Sequence, residues 1–177
     1  MFIDVQELWE RREPLLLDHT FRPEELELKD PLYALRQPVR FSGSAVALSG
    51  QDVRIQGALS TRLDLVCSRC LMEFQKTIYK AIDLTYMPNE SRGPDEEIAL
   101  SYGDLDVGLF TQSRIDLNSV MIEQIVLEIP MKPVCSTACR GLCDQCGADL
   151  NSGACNCVKT SDPRWAGLAP LRDRLNK

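Results

Sequence analysis

Alternation of apolar and polar positions is the clearest signal in this chain. From Asp52 to Cys67, Val53, Ile55, Leu59, Leu63 and Leu65 share one parity, while Asp52, Arg54, Gln56, Ser60, Arg62 and Asp64 share the other. Successive strand side chains point to opposite faces, so this segment predicts a long half-buried β-strand. Val39, Phe41, Ala45 and Ala47 alternate in the same way before it. Between them, Leu48-Ser49-Gly50-Gln51-Asp52 has the glycine and polar residues of a hairpin turn. Past Cys70, Phe74, Ile78, Ile82, Leu84 and Tyr86 continue the pattern. Residues 38–87 therefore read as three antiparallel strands, with Cys67-Ser68-Arg69-Cys70 at the second turn.

A helical period follows. Met121, Ile122, Ile125, Val126 and Ile129 fall on one face, Asp116 or Asn118 can cap the start, and Pro130 disfavours helical geometry at Ile129. The spacing predicts a core-facing helix near 117–129. Between strands and helix, Pro88–Glu97 is an acidic Pro/Gly stretch that reads as an exposed loop, and Glu97–Tyr102 as a short strand. At the end of the chain, Ser161-Asp162-Pro163 reads as a cap followed by proline in the first turn, with Leu168, Leu171 and Leu175 as an apolar stripe. Gly167 and Pro170 weaken that last helix.

Composition changes at Met131. Six cysteines, three glycines and few large apolar residues occupy positions 131–157. Such a segment buries too little surface to offset its own ordering entropy, so something else must hold it. The predicted fold is α+β: a β-rich antiparallel body over residues 1–130, with one central helix, and a zinc-stapled cysteine-rich C-terminal tail over 131–177 packed on it. At 177 residues the chain is long enough for one core and short for two.

No window approaches the roughly eighteen consecutive apolar residues of a membrane span, and Met1–Asp18 has no basic region followed by an unbroken apolar run. These features predict a cytoplasmic protein without membrane contact. In a reducing compartment, closely spaced cysteine pairs hold metal more often than disulfides. The net charge of −6 is uneven: residues 1–130 hold 13 Lys/Arg against 22 Asp/Glu, and residues 131–177 hold 7 against 4. An acidic body is a poor counterion for a phosphate backbone. Any nucleic-acid contact is therefore expected to be local, or made through a protein partner.

The cysteines fall as Cys67-x2-Cys70, Cys135-x3-Cys139-x3-Cys143-x2-Cys146 and Cys155-x-Cys157. Two residues between cysteines let one turn present both thiolates to one metal, and tetrahedral zinc takes two such pairs. In Cys143-Asp144-Gln145-Cys146-Gly147 the glycine supplies the permissive backbone of a zinc knuckle. Eight cysteines divide into two four-cysteine sites. Cys143, Cys146, Cys155 and Cys157 close one in the tail, and Cys67 and Cys70 join Cys135 and Cys139 in the other. The alternative is a single site drawn from Cys135, Cys139, Cys143 and Cys146.

A structural zinc site contributes roughly 10–16 kcal/mol of binding free energy, comparable with the net stability of a whole domain, about 5–15 kcal/mol. Catalytic zinc keeps a position for water, which four thiolates would fill. Arg69, Lys132 and Arg140 are candidates to offset the negative charge of a thiolate-bound zinc, or are plain solvated residues.

Other readings are weaker. Cys139-x3-Cys143-x2-Cys146 has radical-SAM spacing, but the 31 residues after Cys146 cannot build the barrel that follows in those enzymes. A non-catalytic iron–sulfur cluster is chemically allowed on the same thiolates. Cys67 and Cys70 as a redox dithiol would need a helix after them, and strand alternation resumes instead. His19 is the only histidine and sits in a strand-like context. No phosphate-binding glycine loop or nucleophile elbow occurs, Asp95-Glu96-Glu97 reads as a solvated run, and Trp9 and Trp165 read as packing anchors. The sequence thus points to a protein that is not an enzyme and has no small-molecule substrate.

Three separate stretches carry a resemblance. They are Cys67-Ser68-Arg69-Cys70-Leu71 with Phe74; Leu127-Glu128-Ile129-Pro130-Met131-Lys132-Pro133-Val134-Cys135; and Gly141-Leu142-Cys143-Asp144-Gln145-Cys146-Gly147-Ala148-Asp149-Leu150-Asn151. With the terminal Asp162-Pro163-Arg164, they resemble the bacterial YceD family over nearly the whole chain. That resemblance implies a ribosome-biogenesis factor supporting large-subunit ribosomal RNA accumulation, with relatives in plastids and no established catalytic residues. Its implied partner is the pre-ribosomal large-subunit particle or its RNA, reached directly or through a protein. A zinc-dependent interaction adaptor outside the ribosome and a redox or iron–sulfur switch are the competing classes.

Overall fold

The computed structural model describes residues 1–89, 107–157 and Arg164. The chain begins with β1 (Phe2–Asp4), α1 (Val5–Arg11), β2 (Leu15–Phe21) and α2 (Pro23–Leu26). Next come β3 (Lys29–Asp30), β4 (Tyr33–Leu35), β5 (Val39–Ala47), β6 (Val53–Val66) and β7 (Glu73–Pro88). After them follow β8 (Val107–Phe110), β9 (Arg114–Asp116) and α3 (Leu117–Leu127). Two compact units result. One is Met1–Ser68 with Met72–Cys135; the other is Arg69–Leu71 with the chain from Ser136 onward.

The three predicted strands are β5, β6 and β7, and both pairings are antiparallel. A single 3₁₀ turn, Ser49–Gln51, closes the first hairpin where the glycine and polar residues stand. β6 is the spine of the sheet. β7 lines one edge in unbroken register from Val53↔Tyr86 to Val66↔Glu73. The other edge is shared: β5 pairs with its first half and β4 with residues 63–65. β2 continues the sheet beyond β5, and β3 continues it beyond β4. β8 adds a parallel pairing on β7, from Thr85↔Val107 to Pro88↔Phe110. A separate two-stranded ribbon joins β1 to β9.

One face of this sheet is buried. Val53, Ile55, Leu59, Leu63 and Leu65 of β6 lie in the core beside Phe41, Leu17, Phe21, Ile78 and Ile82. Thr61 occupies the same row, and its hydroxyl donates to the Pro38 carbonyl at 3.2 Å, which removes the cost of burying it. The opposite face is polar: Arg54 grips Asp83 through two bonds of 2.8 Å, and Gln56 adds a third at 3.1 Å. The hydrogen bond from Arg54 holds the Asp83 carboxyl below its ordinary pKa. Such an exposed pair contributes little stability.

α3 differs from its predicted face. Leu117, Val120, Met121, Gln124 and Ile125 are buried, while Val126 is 40% exposed. The buried stripe starts at Leu117, whose N–H bonds to the Met1 carbonyl at 2.9 Å, and continues at helical spacing from there. Asp116 is the cap, accepting from the Asn118 N–H at 3.1 Å. The Asn118 side chain instead accepts from the Met1 ammonium at 2.7 Å and donates to the Glu25 carbonyl at 3.0 Å. The helix stops at Leu127, two residues before the predicted end. Lys76 donates to the Glu128 carbonyl at 2.7 Å, satisfying one of the carbonyls orphaned at a helix end. Lys80 pairs with the Glu128 carboxylate at 2.9 Å.

His19 stands in β2, half-buried, with its ring edge-on to Phe21 at 4.5 Å. Most of the acidic loop, the strand expected at Glu97–Tyr102, and the final helix with Trp165 lie outside the described residues. Among the described residues, no helix is long and apolar enough to cross a membrane.

Gly43 and Gly57 face each other across β5 and β6. A Cβ on Gly57 would lie 2.8 Å from both the Gly43 Cα and the Phe41 ring, inside van der Waals contact. The close approach of the two backbones therefore requires glycine there. Gly57→Ala should reduce unfolding free energy by about 1–3 kcal/mol, read as a lower urea midpoint at unchanged slope. An unaltered midpoint would show that the strands relax around the added methyl at no cost.

Candidate metal centre

The core row of β6 ends in chemistry. Cys67 has the parity of Leu63 and Leu65, one step past the strand, and is fully buried. Its N–H donates to the Met72 carbonyl at 2.9 Å, closing a turn in which Leu71 takes a left-handed φ of 60°. The tail repeats this construction. The Cys143 N–H donates to the Ala148 carbonyl at 2.8 Å, and Gly147 has a φ of 72°. In each turn the first cysteine bonds five residues ahead, and the residue just after the second cysteine is left-handed. Glycine adopts that conformation without a Cβ clash, whereas leucine carries a cost. Leu71 is thus the counterpart of Gly147, an equivalence hidden by residue type.

The sulfurs gather in two groups of four. Cys67, Cys70, Cys135 and Cys139 form one, and Cys143, Cys146, Cys155 and Cys157 the other, with all sulfurs of a group within 4.8 Å of one another. This is the predicted division, and it does not use the single-site grouping of Cys135, Cys139, Cys143 and Cys146. Zinc–sulfur bonds of ~2.3 Å in a tetrahedron place sulfurs about 3.8 Å apart, so both groups are spaced to hold a metal ion.

Polar groups surround the sulfurs. The Cys135 N–H donates to the Cys67 sulfur at 3.4 Å, and the Ser68 N–H and hydroxyl donate to the Pro133 carbonyl at 2.8 and 2.9 Å. Asn151 is a residue that spacing alone did not single out. Its amide donates to the Cys139 sulfur at 3.6 Å, while its oxygen accepts from the Arg140 N–H at 2.8 Å. Donors outside the ligand set orient ligands and spread their charge. Arg69 donates from its guanidinium to the Cys139 carbonyl at 2.9 Å, and its own carbonyl accepts from the Leu142 N–H at 3.0 Å. Of the three cations considered from sequence, Arg69 uses its guanidinium beside Cys139, whereas the Arg140 bond is made by its backbone N–H.

The donor set also shows why a cation fits. Backbone N–H groups of Cys146 and Gln145, then the Cys155 thiol, draw the Cys143 thiol down to about 7. Hydrogen bonding to Cys146, together with burial, pushes Cys157 up to about 12. One thiolate is favoured, and a neighbour is held as thiol against it. Four thiolates so close need a compensating positive charge, which a divalent metal supplies. Burial is uneven: Cys67, Cys70, Cys139 and Cys143 are buried, Cys155 and Cys157 half-buried, and Cys135 and Cys146 exposed.

Residues 55–172 match the family described as large ribosomal RNA subunit accumulation protein YceD. An uncharacterized protein of Mycobacterium tuberculosis is 30% identical, over 68% of this chain and 56% of its own length. The chloroplastic large ribosomal RNA subunit accumulation protein YCED homolog 1 of Arabidopsis thaliana is 24% identical, over 72% of this chain and 46% of its own. Its Zea mays namesake is 27% identical, over 77% and 53%. The chain therefore spans about half the length of the curated relatives it matches. No solved structure matches the chain. Matched from within β6 to beyond the second four-cysteine group, the chain belongs to the YceD family.

Proposed function

We propose that this protein is a non-catalytic zinc-binding factor of the cytoplasm that supports large-subunit ribosomal RNA accumulation during ribosome biogenesis. Family membership is the observation that carries the ribosomal part, since the family and its chloroplastic relatives are named for that RNA. The two four-cysteine groups support the zinc part. Cys67, Cys70, Cys135 and Cys139 hold one zinc, and Cys143, Cys146, Cys155 and Cys157 the other. Bound there, the metal supplies structural cross-linking, because four sulfurs complete its tetrahedral shell and leave no position for substrate. The chain's own residues set the rest: knuckle backbones aim the thiolates, Asn151 and the Cys135 amide donate to sulfur, and Arg69 fixes the first turn to the segment carrying Cys139. The partner is the pre-ribosomal large-subunit particle or its RNA. With 22 acidic residues among the first 130, contact through a basic protein of the particle suits the body better than broad phosphate contact.

Native mass spectrometry of protein purified without chelator should find two zinc ions per chain. Replacing Cys67 and Cys70 by serine should remove one, and replacing Cys143 and Cys146 the other. A single zinc indifferent to the first pair of substitutions would refute the assignment, and iron with sulfide would replace it by the cluster reading.

Stripping the metal should lower the thermal midpoint and expose the tail from Ser136 to proteases, restored on adding zinc, as structural zinc contributes roughly 10–16 kcal/mol per site.

Cells lacking the protein should show a reduced ratio of large- to small-subunit ribosomal RNA and fewer large particles on gradients. Normal RNA and particles would remove the ribosomal reading while leaving the metal sites standing.

A further inference from the structure

Outside the cysteine groups, one crevice has a lining suited to a ligand. It holds a cavity of about 490 Å³ where α1 meets the β5–β6 turn and the β8–β9 turn, lined by Val5, Gln6, Trp9, Gln51, Phe110 and Ser113. That volume lies within the range of about 300–1,000 Å³ typical of small-ligand sites. Val5 and Phe110 are buried and form its apolar floor. Trp9, read from sequence as a packing anchor, is 37% exposed and lines this crevice. Gln6, Gln51 and Ser113 add two carboxamides and a hydroxyl, all exposed.

The chemistry of this lining is narrow. Among the described residues the lining contains no charged side chain, so those residues offer nothing to grip a phosphate, a carboxylate or a metal ion. It combines aromatic surface with planar carboxamides, each both donor and acceptor. A flat neutral ring with alternating donors and acceptors on its edge matches both properties. Bases stack on aromatic side chains, and a glutamine amide pairs with the adjacent donor and acceptor of an adenine edge. An aromatic peptide side chain would occupy the floor but leave most of the polar groups unmatched. Two of the lining residues also sit in strained backbone, Gln51 at a φ of 73° and Ser113 at 54°. Left-handed geometry at non-glycine residues persists where the surroundings enforce it and collects at binding sites.

We propose that this crevice receives one unpaired nucleobase, a purine by preference, stacked against Trp9 and read at its edge by Gln6 and Gln51. The inference deepens the ribosomal reading by giving the acidic body one local, uncharged contact with RNA. Phosphates stay outside, which reconciles RNA contact with the net charge of the body.

The test is a titration of the intact zinc-loaded protein with adenosine, guanosine, ribose and N-acetyl-tyrosinamide, followed by NMR. Adenosine or guanosine should move the Trp9 indole N–H and the Gln6 and Gln51 carboxamide signals in a saturable way, and ribose should not. Gln6→Leu, at an exposed helix position, should weaken nucleoside binding by roughly tenfold while the rest of the spectrum stays in place. Signals that no nucleoside moves would overturn the proposal. Equal or stronger response to N-acetyl-tyrosinamide would overturn it in favour of a peptide site. Because no ribosome enters this measurement, nucleoside binding with normal ribosomal RNA in deleted cells would retain the crevice and remove the ribosomal reading. The reverse pair of results would do the opposite.

Discussion

The β6–β7 ladder is the constraint on which the remaining structure depends. Its register runs unbroken from Val53↔Tyr86 to Val66↔Glu73. Strand side chains alternate, so a slip of one residue would turn every core leucine of β6 into solvent and bring Arg54 and Asp64 inward. The same slip would move Cys67 out of the buried row that it extends. Burial of apolar side chains thus fixes a sulfur position two residues beyond the last leucine that contributes to it. β7 does a second task from its core-facing parity, because Lys76 and Lys80 both reach Glu128 at the end of α3. One ladder places the first knuckle and also supplies two lysines to the end of the central helix.

The two knuckles show how a backbone solution outlasts the residues that first suggest it. Gly147 announces its turn, whereas Leu71 conceals an equivalent one. Both turns close through the same bond from the first cysteine to a carbonyl five residues on. Within the second group, backbone N–H bonds lower Cys143, while hydrogen bonding to Cys146 and burial raise Cys157, and four thiolates this close cannot all ionise without positive charge between them. Structural zinc sites use that frustration. Where a metal binds such a group it relieves that frustration, and its binding free energy becomes folding free energy.

The acidic body and the ribosomal assignment pull against each other if contact means phosphate neutralisation. They agree if contact is made through a basic protein of the particle, or through a base held in an uncharged crevice. Both routes leave the electrostatic cost of approaching RNA to groups other than the sheet.

Much of this was legible in the order of the residues. The three central strands, the turn at Cys67–Cys70, a helix cap at Asp116 or Asn118 and the pairing of cysteines as candidate metal ligands all follow from local rules: parity, turn chemistry and ligand spacing. Other features were decided only when distant segments met. The buried face of α3 began at Leu117 because the first residue of the chain pairs there, so the helix turned Val126 outward. The short strands β1, β3 and β4 and the parallel addition of β8 to β7 carry too few residues for a period to register. Asn151 reaches the Cys139 sulfur, and Trp9 lines a crevice with Gln51 and Ser113, across separations that no local pattern encodes. The sequence by itself determined which strand residues face solvent or core and which residues offer metal ligands, since those depend on side-chain type and near neighbours. Only the tertiary structure decided which sulfurs share a site, which donors stabilise them and which aromatic remains available, because those are distances between parts of the chain that meet only on folding.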